Sequence, residues 1–162
     1  MTKLTTCLWF DKGQARAAAE FYASVFPDSH VATAPASSGD NSSTSRGEEI
    51  TVAFTLCGQS FVGLNGGPNF TPNQAVSFQI FTDTQEETDR YWNAIVSNGG
   101  AESRCSWCKD RWGFSWQIVP RALMVGMADP DPAAARRVME AMMSMSKIDI
   151  AAIEAARAGD KL

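Results

Sequence analysis

The chain has 162 residues, of which 44% are hydrophobic, 20% charged and 10% aromatic. That is ordinary for a globular protein, and the length suits one domain or two small modules sharing a core. Fourteen Lys and Arg against eighteen Asp and Glu leave a formal charge of −4, which argues against sequence-independent nucleic-acid binding, since that rests on basic side chains neutralising phosphates. A single histidine, His30, and four scattered cysteines, Cys7, Cys57, Cys105 and Cys108, exclude a His-rich metal site by counting alone.

The first predicted element is a strand over Leu4–Phe10, rich in Thr, Leu, Trp and Phe. Asp11-Lys12-Gly13 makes a turn, and Gln14 to Val25 then carries Ala15, Ala18, Ala19, Tyr22 and Val25 at helical spacing. Phe26-Pro27-Asp28 stops that helix, and Ser29–Pro35 reads as a second strand. Residues 36–47 are nearly all small and polar, the composition of a mobile surface loop. Glu49–Cys57 and Ser60–Asn65 form two strands about a Gly58-Gln59 hairpin turn. The Gly66 to Pro72 stretch is a turn-rich linker.

The order then repeats at an offset of about 70 residues. Ala75–Phe81 is a strand. Thr84, with Glu87 at capping-box spacing, starts a helix that runs to about Ser97 and closes at Asn98-Gly99-Gly100. Ala101–Trp107 is the next strand, Lys109 to Gly113 a charged turn, and Phe114–Pro120 the last strand. Each half is taken as strand–helix–strand–strand–strand. No element is assigned between Pro120 and the break at Asp129-Pro130-Asp131-Pro132. Beyond it, Ala133–Met145 and Ile148–Ala158 read as two helices, the first with an apolar face of Val138, Met139, Met142, Met143 and Met145.

The amino terminus lacks a basic region followed by an apolar run, and no stretch approaches the roughly 20 apolar residues that cross a bilayer. The expected location is therefore cytoplasmic, with free thiols and no membrane contact. At this length about 70% of the unfolded surface can be buried, so neither a disulfide nor a structural metal is required.

Three isolated features weigh towards structure rather than chemistry. Cys105-Ser106-Trp107-Cys108 is a CxxC, but it lies at a strand end rather than a helix start, and it reads as hairpin cysteines. His30, at the start of a strand, reads as a surface or packing residue. Lys109-Asp110-Arg111 reads as a solvated turn ahead of a role in holding an anion through Arg111.

The order of elements resembles the PhnB-like branch of the glyoxalase/bleomycin-resistance (vicinal oxygen chelate) superfamily, a branch commonly labelled 3-demethylubiquinone-9 3-methyltransferase. The segments that carry the resemblance are Leu8-Trp9-Phe10-Asp11, Ala18-Ala19-Glu20-Phe21-Tyr22, Phe26-Pro27-Asp28-Ser29, Leu64-Asn65-Gly66-Gly67-Pro68, Ala75-Val76-Ser77-Phe78-Gln79, Asp89-Arg90-Tyr91-Trp92, Lys109 through Pro120, and Val138-Met139-Glu140-Ala141-Met142. The resemblance implies an α+β protein of two βαβββ modules forming a curved mixed sheet or half-barrel, with C-terminal helices added. The modules run over 1–67 and 74–120, with a linker at 68–73 and a helical tail at 121–162, all in one structural domain. It also implies a homodimer.

In metal-using members of that superfamily, four side chains from the first and last strands of each module hold a cation. By the matching motifs those places fall at Cys7, Asn65, Ser77 and Gln117. A thiol, a hydroxyl and two amides are poor company for a hard or borderline cation, which prefers imidazole and carboxylate. The expectation is therefore a small organic ligand and no cofactor. Strand alternation brings Trp9, Gln79 and Ser115 onto the same faces as Cys7, Ser77 and Gln117, giving polar amides among aromatic walls. A metal-dependent lyase, isomerase or dioxygenase recruiting a divalent metal through ligands such as Cys7 is the alternative, as is a non-catalytic antibiotic-sequestering protein. Literal methyl transfer is disfavoured, because the Gly66-Gly67 and Gly99-Gly100 pairs do not sit in a strand-to-helix loop.

Overall fold

The computed structural model describes residues 3–33 and 49–160. The polar stretch 36–47 lies outside the described residues. Two compact units divide the chain, Met1–Pro72 and Asn73–Leu162, and each has its own sheet.

The first unit runs β1 (Thr6–Phe10), α1 (Ala15–Val25), β2 (His30–Val31), β3 (Thr51–Leu56) and β4 (Gln59–Asn65). Its sheet has the order β1-β4-β3-β2, with β1 parallel to β4 and the other pairs antiparallel. Alternation decides which face meets the helix. Leu8 and Phe10, Val52, Phe54 and Leu56, and Phe61 are all buried, and they meet Ala15, Ala18, Ala19 and Tyr22 of α1. Fully burying one such large side chain stabilises by about 1.5–3 kcal/mol, so a register slip that turned the set outward would be costly. Gly63 lies on this face because nothing larger fits: a Cβ there would stand 2.9 Å from the Ala15 Cβ. The absence of a side chain lets α1 settle onto β4.

The second unit runs β5 (Ser77–Thr82), α2 (Gln85–Ser97), β6 (Ala101–Glu102), β7 (Trp107–Lys109) and β8 (Ser115–Pro120), then α3 (Arg121–Met127), α4 (Pro132–Met143) and α5 (Ile150–Ala158). The sheet repeats the first in form, β5-β8-β7-β6, with β5 parallel to β8. Thr88, Tyr91, Trp92 and Ile95 of α2 cover Thr82, Cys108, Trp116 and Ile118. The Thr84 cap forms as expected, its hydroxyl accepting from the Glu87 N–H at 3.2 Å. Glu87 returns the bond to the Asp83 N–H at 2.9 Å, one residue earlier than a capping box would place it.

The strand expected over Ala101–Trp107 is two strands, β6 and β7, joined by a turn in which Cys105 (φ 57°) and Ser106 (φ 71°) are left-handed. That conformation disfavours residues with a Cβ. It is held by two backbone bonds from a distant segment, Cys105 N–H to Met145 O at 2.8 Å and Ser106 N–H to Ser146 O at 2.9 Å. The break supplies the fourth strand of the half, and Lys109 ends β7 instead of opening the turn after it.

The tail belongs to this unit. Val119, Leu123, Val138, Ile148 and Ile153 form one buried cluster, with Met142 and Met145 packed on it. Helix α3 lies in the part of the expected 121–162 helical tail to which no separate element was assigned. Its Gly126 is required by a neighbour: a Cβ there would meet the Val138 methyls at 3.0 and 3.1 Å. The Met-rich face of α4 is divided, with Val138 buried and Met139 and Met143 48% and 56% exposed. No helix among the described residues is long and apolar enough to cross a membrane.

Candidate functional site

In the second unit the sheet face turned away from α2 carries the polar residues singled out in the sequence. Parallel register sets Ser77 beside Ser115 and Gln79 beside Gln117, and same-parity positions share a face. Three of these side chains form a chain of hydrogen bonds. Gln79 Nε2 donates to Gln117 Oε1 at 3.1 Å, and Gln117 Nε2 donates to Ser77 Oγ at 2.8 Å. Each amide nitrogen keeps a second N–H, Gln79 keeps its oxygen, and Ser77 keeps its hydroxyl proton. The result is a short row of fixed donors and acceptors on an accessible surface. Trp107, opposite Gln117 in the β7–β8 ladder, and Phe81, on the same face of β5, supply aromatic surface beside it.

In the first unit the corresponding face carries Cys7 and Trp9. Cys7 is exposed. Trp9 is fixed: its indole N–H donates to Gly67 O at 2.8 Å, and Phe70 stands edge-on at 4.9 Å between ring centroids. Gly66 is the floor of this arrangement, since a Cβ at that position would overlap the indole ring. The glycine pair of the linker therefore serves the tryptophan.

Asn65 departs from the set. It pairs with Phe10 in the β1–β4 ladder and so faces α1, opposite to Cys7 and Trp9, and it is 5% exposed. Its Oδ1 accepts the Ala15 N–H at 3.0 Å, and its Nδ2 donates to Glu49 O at 2.8 Å. The helix needs this bond, because its own N-cap residue, Gln14, makes no side-chain cap. Its geometry is that of a side chain satisfying backbone groups inside the fold.

The remaining features resolve structurally. Asp110 is not a solvated turn residue: it is 2% exposed. Its Oδ1 accepts from the backbone N–H of Trp112 (2.9 Å) and of Phe114 (3.0 Å), and its Oδ2 accepts the Trp116 indole N–H at 2.8 Å. Arg111 lies over the Trp112 ring at 5.6 Å. His30 is on the edge strand, 3.4 Å from the Thr55 hydroxyl. In the CxxC, Cys105 occupies a turn while Cys108 is buried in β7. Burial, with Asp110 and Glu102 nearby, pushes the Cys108 thiol up to about 12, which keeps it protonated and unreactive at neutral pH.

The positions matched to a metal set offer the Cys7 thiol, the Ser77 hydroxyl and the Gln117 amide, and Asn65 points elsewhere. Among the described residues no three His, Cys, Asp or Glu side chains cluster as a metal set.

Comparison with known proteins places these observations in a family. The family model described as 3-demethylubiquinone-9 3-methyltransferase matches residues 2–119, leaving α3, α4 and α5 outside the match. A PhnB protein from Bacillus cereus is 30% identical in sequence, over 74% of this chain and 99% of that one, with a TM-score of 0.63. Protein PA1353 from Pseudomonas aeruginosa is 17% identical over 74% of this chain and 98% of that one, with a TM-score of 0.56, a likeness of fold. A glyoxalase/bleomycin resistance protein from Albidiferax ferrireducens T118 is 12% identical over 71% and 96%, with a TM-score of 0.44, too slight to carry an argument. No curated protein matches.

Proposed function

The chain belongs to the 3-demethylubiquinone-9 3-methyltransferase (PhnB-like) family, and from that membership we propose that it binds a small organic molecule without a metal cofactor. The observation that carries the reading is the Gln79–Gln117–Ser77 hydrogen-bond chain on the sheet face turned away from α2. Side-chain amides are flexible and strongly hydrated. Locking two of them and a hydroxyl in one row is the arrangement a ligand site needs, because it fixes orientation before the ligand arrives. Ser115 extends the row. In the first unit Cys7 and Trp9 lie on the corresponding sheet face, where the indole held against Gly66 is a rigid apolar surface.

Methyl transfer is not part of the proposal. The loops that lead from strand to helix in the two modules, 11–14 and 83–84, contain one glycine, Gly13, and the sheets are mixed. Neither feature supports a nucleotide-type cofactor loop. Four free cysteines support a cytoplasmic location. A homodimer is the proposed assembly, with the exposed Met139 and Met143 of α4 as apolar surface it would cover, and light scattering on the eluting peak tests it.

The test is a screen of small organic molecules by thermal shift. A ligand that raises the melting temperature of the native protein is expected to lose that effect with Gln117→Ala, because binding to the native state is what stabilises. An unchanged shift in Gln117→Ala would overturn the assignment of this face. Stoichiometric metal in the purified protein would overturn its metal-free part.

A further inference from the structure

On the site face of the second unit lies a small recess of about 140 Å³, lined among others by Gln74, Glu102, Trp107, Lys109 and Ser115. Register explains how they meet. Lys109 is paired with Ser115 across β7 and β8, and Trp107 with Gln117, so all four fall on the face away from α2. The volume is that of roughly five water molecules, at about 30 Å³ each.

The lining carries one ammonium, Lys109, and one carboxylate residue, Glu102, besides hydroxyl and amide groups that can donate. Ser115 is only 3% exposed, yet its hydroxyl makes no hydrogen bond among the described residues. No fully sealed side-chain N or O atom in the described structure lacks a partner. The Ser115 oxygen is therefore the part of the residue that reaches the recess. Lys109 makes no ion pair among the described residues. The neighbouring Asp110 carboxylate is spent on Trp112, Phe114 and Trp116. Glu102 pairs with Cys108 in the ladder and accepts the Trp92 indole N–H at 3.3 Å on the helix side. What remains is an ammonium and a nearly buried hydroxyl without partners, with the Gln74 amide at the rim and an indole wall.

We propose that this recess takes the oxyanion end, carboxylate or phosphate, of the organic ligand, with Lys109 as the charge and Ser115 as the hydrogen-bond donor that orients it. The assignment rests on the binding reading above and gives the ligand a chemical class. Charge-assisted bonds from an ammonium to an oxyanion are the stronger kind. The hydroxyl has no partner among the described residues and is free to donate to the ligand.

The experiment uses the ¹⁵N-labelled full chain titrated with sodium acetate and, separately, inorganic phosphate. Sodium chloride at equal ionic strength and neutral acetamide serve as controls. Saturable shifts are expected at the Lys109 and Ser115 amides and the Trp107 indole with an oxyanion and not with chloride or acetamide. The better of acetate and phosphate names the group, and either supports the assignment. Lys109→Met is expected to weaken the apparent affinity about tenfold and Ser115→Ala about threefold. Ser115→Ala should leave the melting temperature unchanged, because the hydroxyl holds nothing in the empty protein. Equal shifts with chloride, unaltered affinity in both variants, or a lowered melting temperature for Ser115→Ala would each overturn the proposal. Oxyanion binding with no hit in the organic screen would fail the earlier reading and uphold this one. An organic hit with no oxyanion response would do the reverse.

Discussion

Replacing Asp110 is expected to damage the second unit more than any exposed-turn substitution would. The carboxylate is 2% exposed and takes three N–H groups, two from the backbone of the 110–114 turn and one from the Trp116 indole. Asp110→Ala leaves those donors without partners in a place water barely reaches. An orphaned buried donor costs about 1–3 kcal/mol, so three of them, with some relaxation of the turn, give a loss of about 3–5 kcal/mol. Asp110→Asn keeps Oδ1 for the two backbone groups but turns an amide N–H towards the indole N–H. It loses one bond of the three, for about 1–3 kcal/mol. The turn leads directly into β8, which carries Ser115 and Gln117, so the variants should also disorder the site face. Urea unfolding followed by tryptophan fluorescence measures both losses. If Ala and Asn both fell within about 0.5 kcal/mol of the native protein, the scale of an ordinary surface change, the carboxylate would not be the organiser of the turn.

Two further predictions follow from the first unit. Asn65→Ala should destabilise it by about 1–3 kcal/mol, because the Ala15 N–H and Glu49 carbonyl lose buried partners; it should leave ligand-induced shifts at Gln79 and Gln117 intact, and their loss would return Asn65 to the ligand face. The second concerns pH. The Arg16 guanidinium grips Glu49 with bonds of 2.5 and 2.6 Å and holds its carboxyl below the usual value. A lowered folded-state pKa gives stability that is present above the unfolded value and disappears as pH falls through the folded one. The stability difference between the native protein and Glu49→Gln should therefore be steady at neutral pH and vanish on acidification from about pH 5 downward. A difference that persisted at about pH 2 would contradict the pairing.

Much of the fold was legible because it rests on local patterns. The alternation in β1, β3 and β4, the alanine face of α1, the Thr84 cap and the Pro132 helix start are each written within a few neighbouring residues. The same parity rule placed Cys7 with Trp9, Ser77 with Gln79, and Ser115 with Gln117. Asn65 was misplaced because its face depends on the register between β1 and β4, strands 50 residues apart, and Phe10 rather than Trp9 stands opposite it. The split between β6 and β7 was hidden for a similar reason. The left-handed turn at Cys105 and Ser106 is held by backbone carbonyls of Met145 and Ser146, and no local signal announces a partner 40 residues away. The role of Gly126 in α3 was equally hidden, since the Val138 side chain it makes room for stands on another element. Trp107 and Lys109 were read as strand end and turn. Only the shifted β7 puts them on the site face.

The central claim is that the amide row on the second sheet receives the ligand. It is tested most directly by following the side-chain NH₂ resonances of Gln79 and Gln117 while the best-stabilising organic molecule from the screen is titrated into ¹⁵N-labelled protein. The account predicts that both side-chain amides and the Trp107 indole shift together and saturate together, and that Gln117→Ala weakens the binding about tenfold or more. Saturating binding that left the Gln79 and Gln117 side chains unmoved, at full affinity in Gln117→Ala, would contradict it.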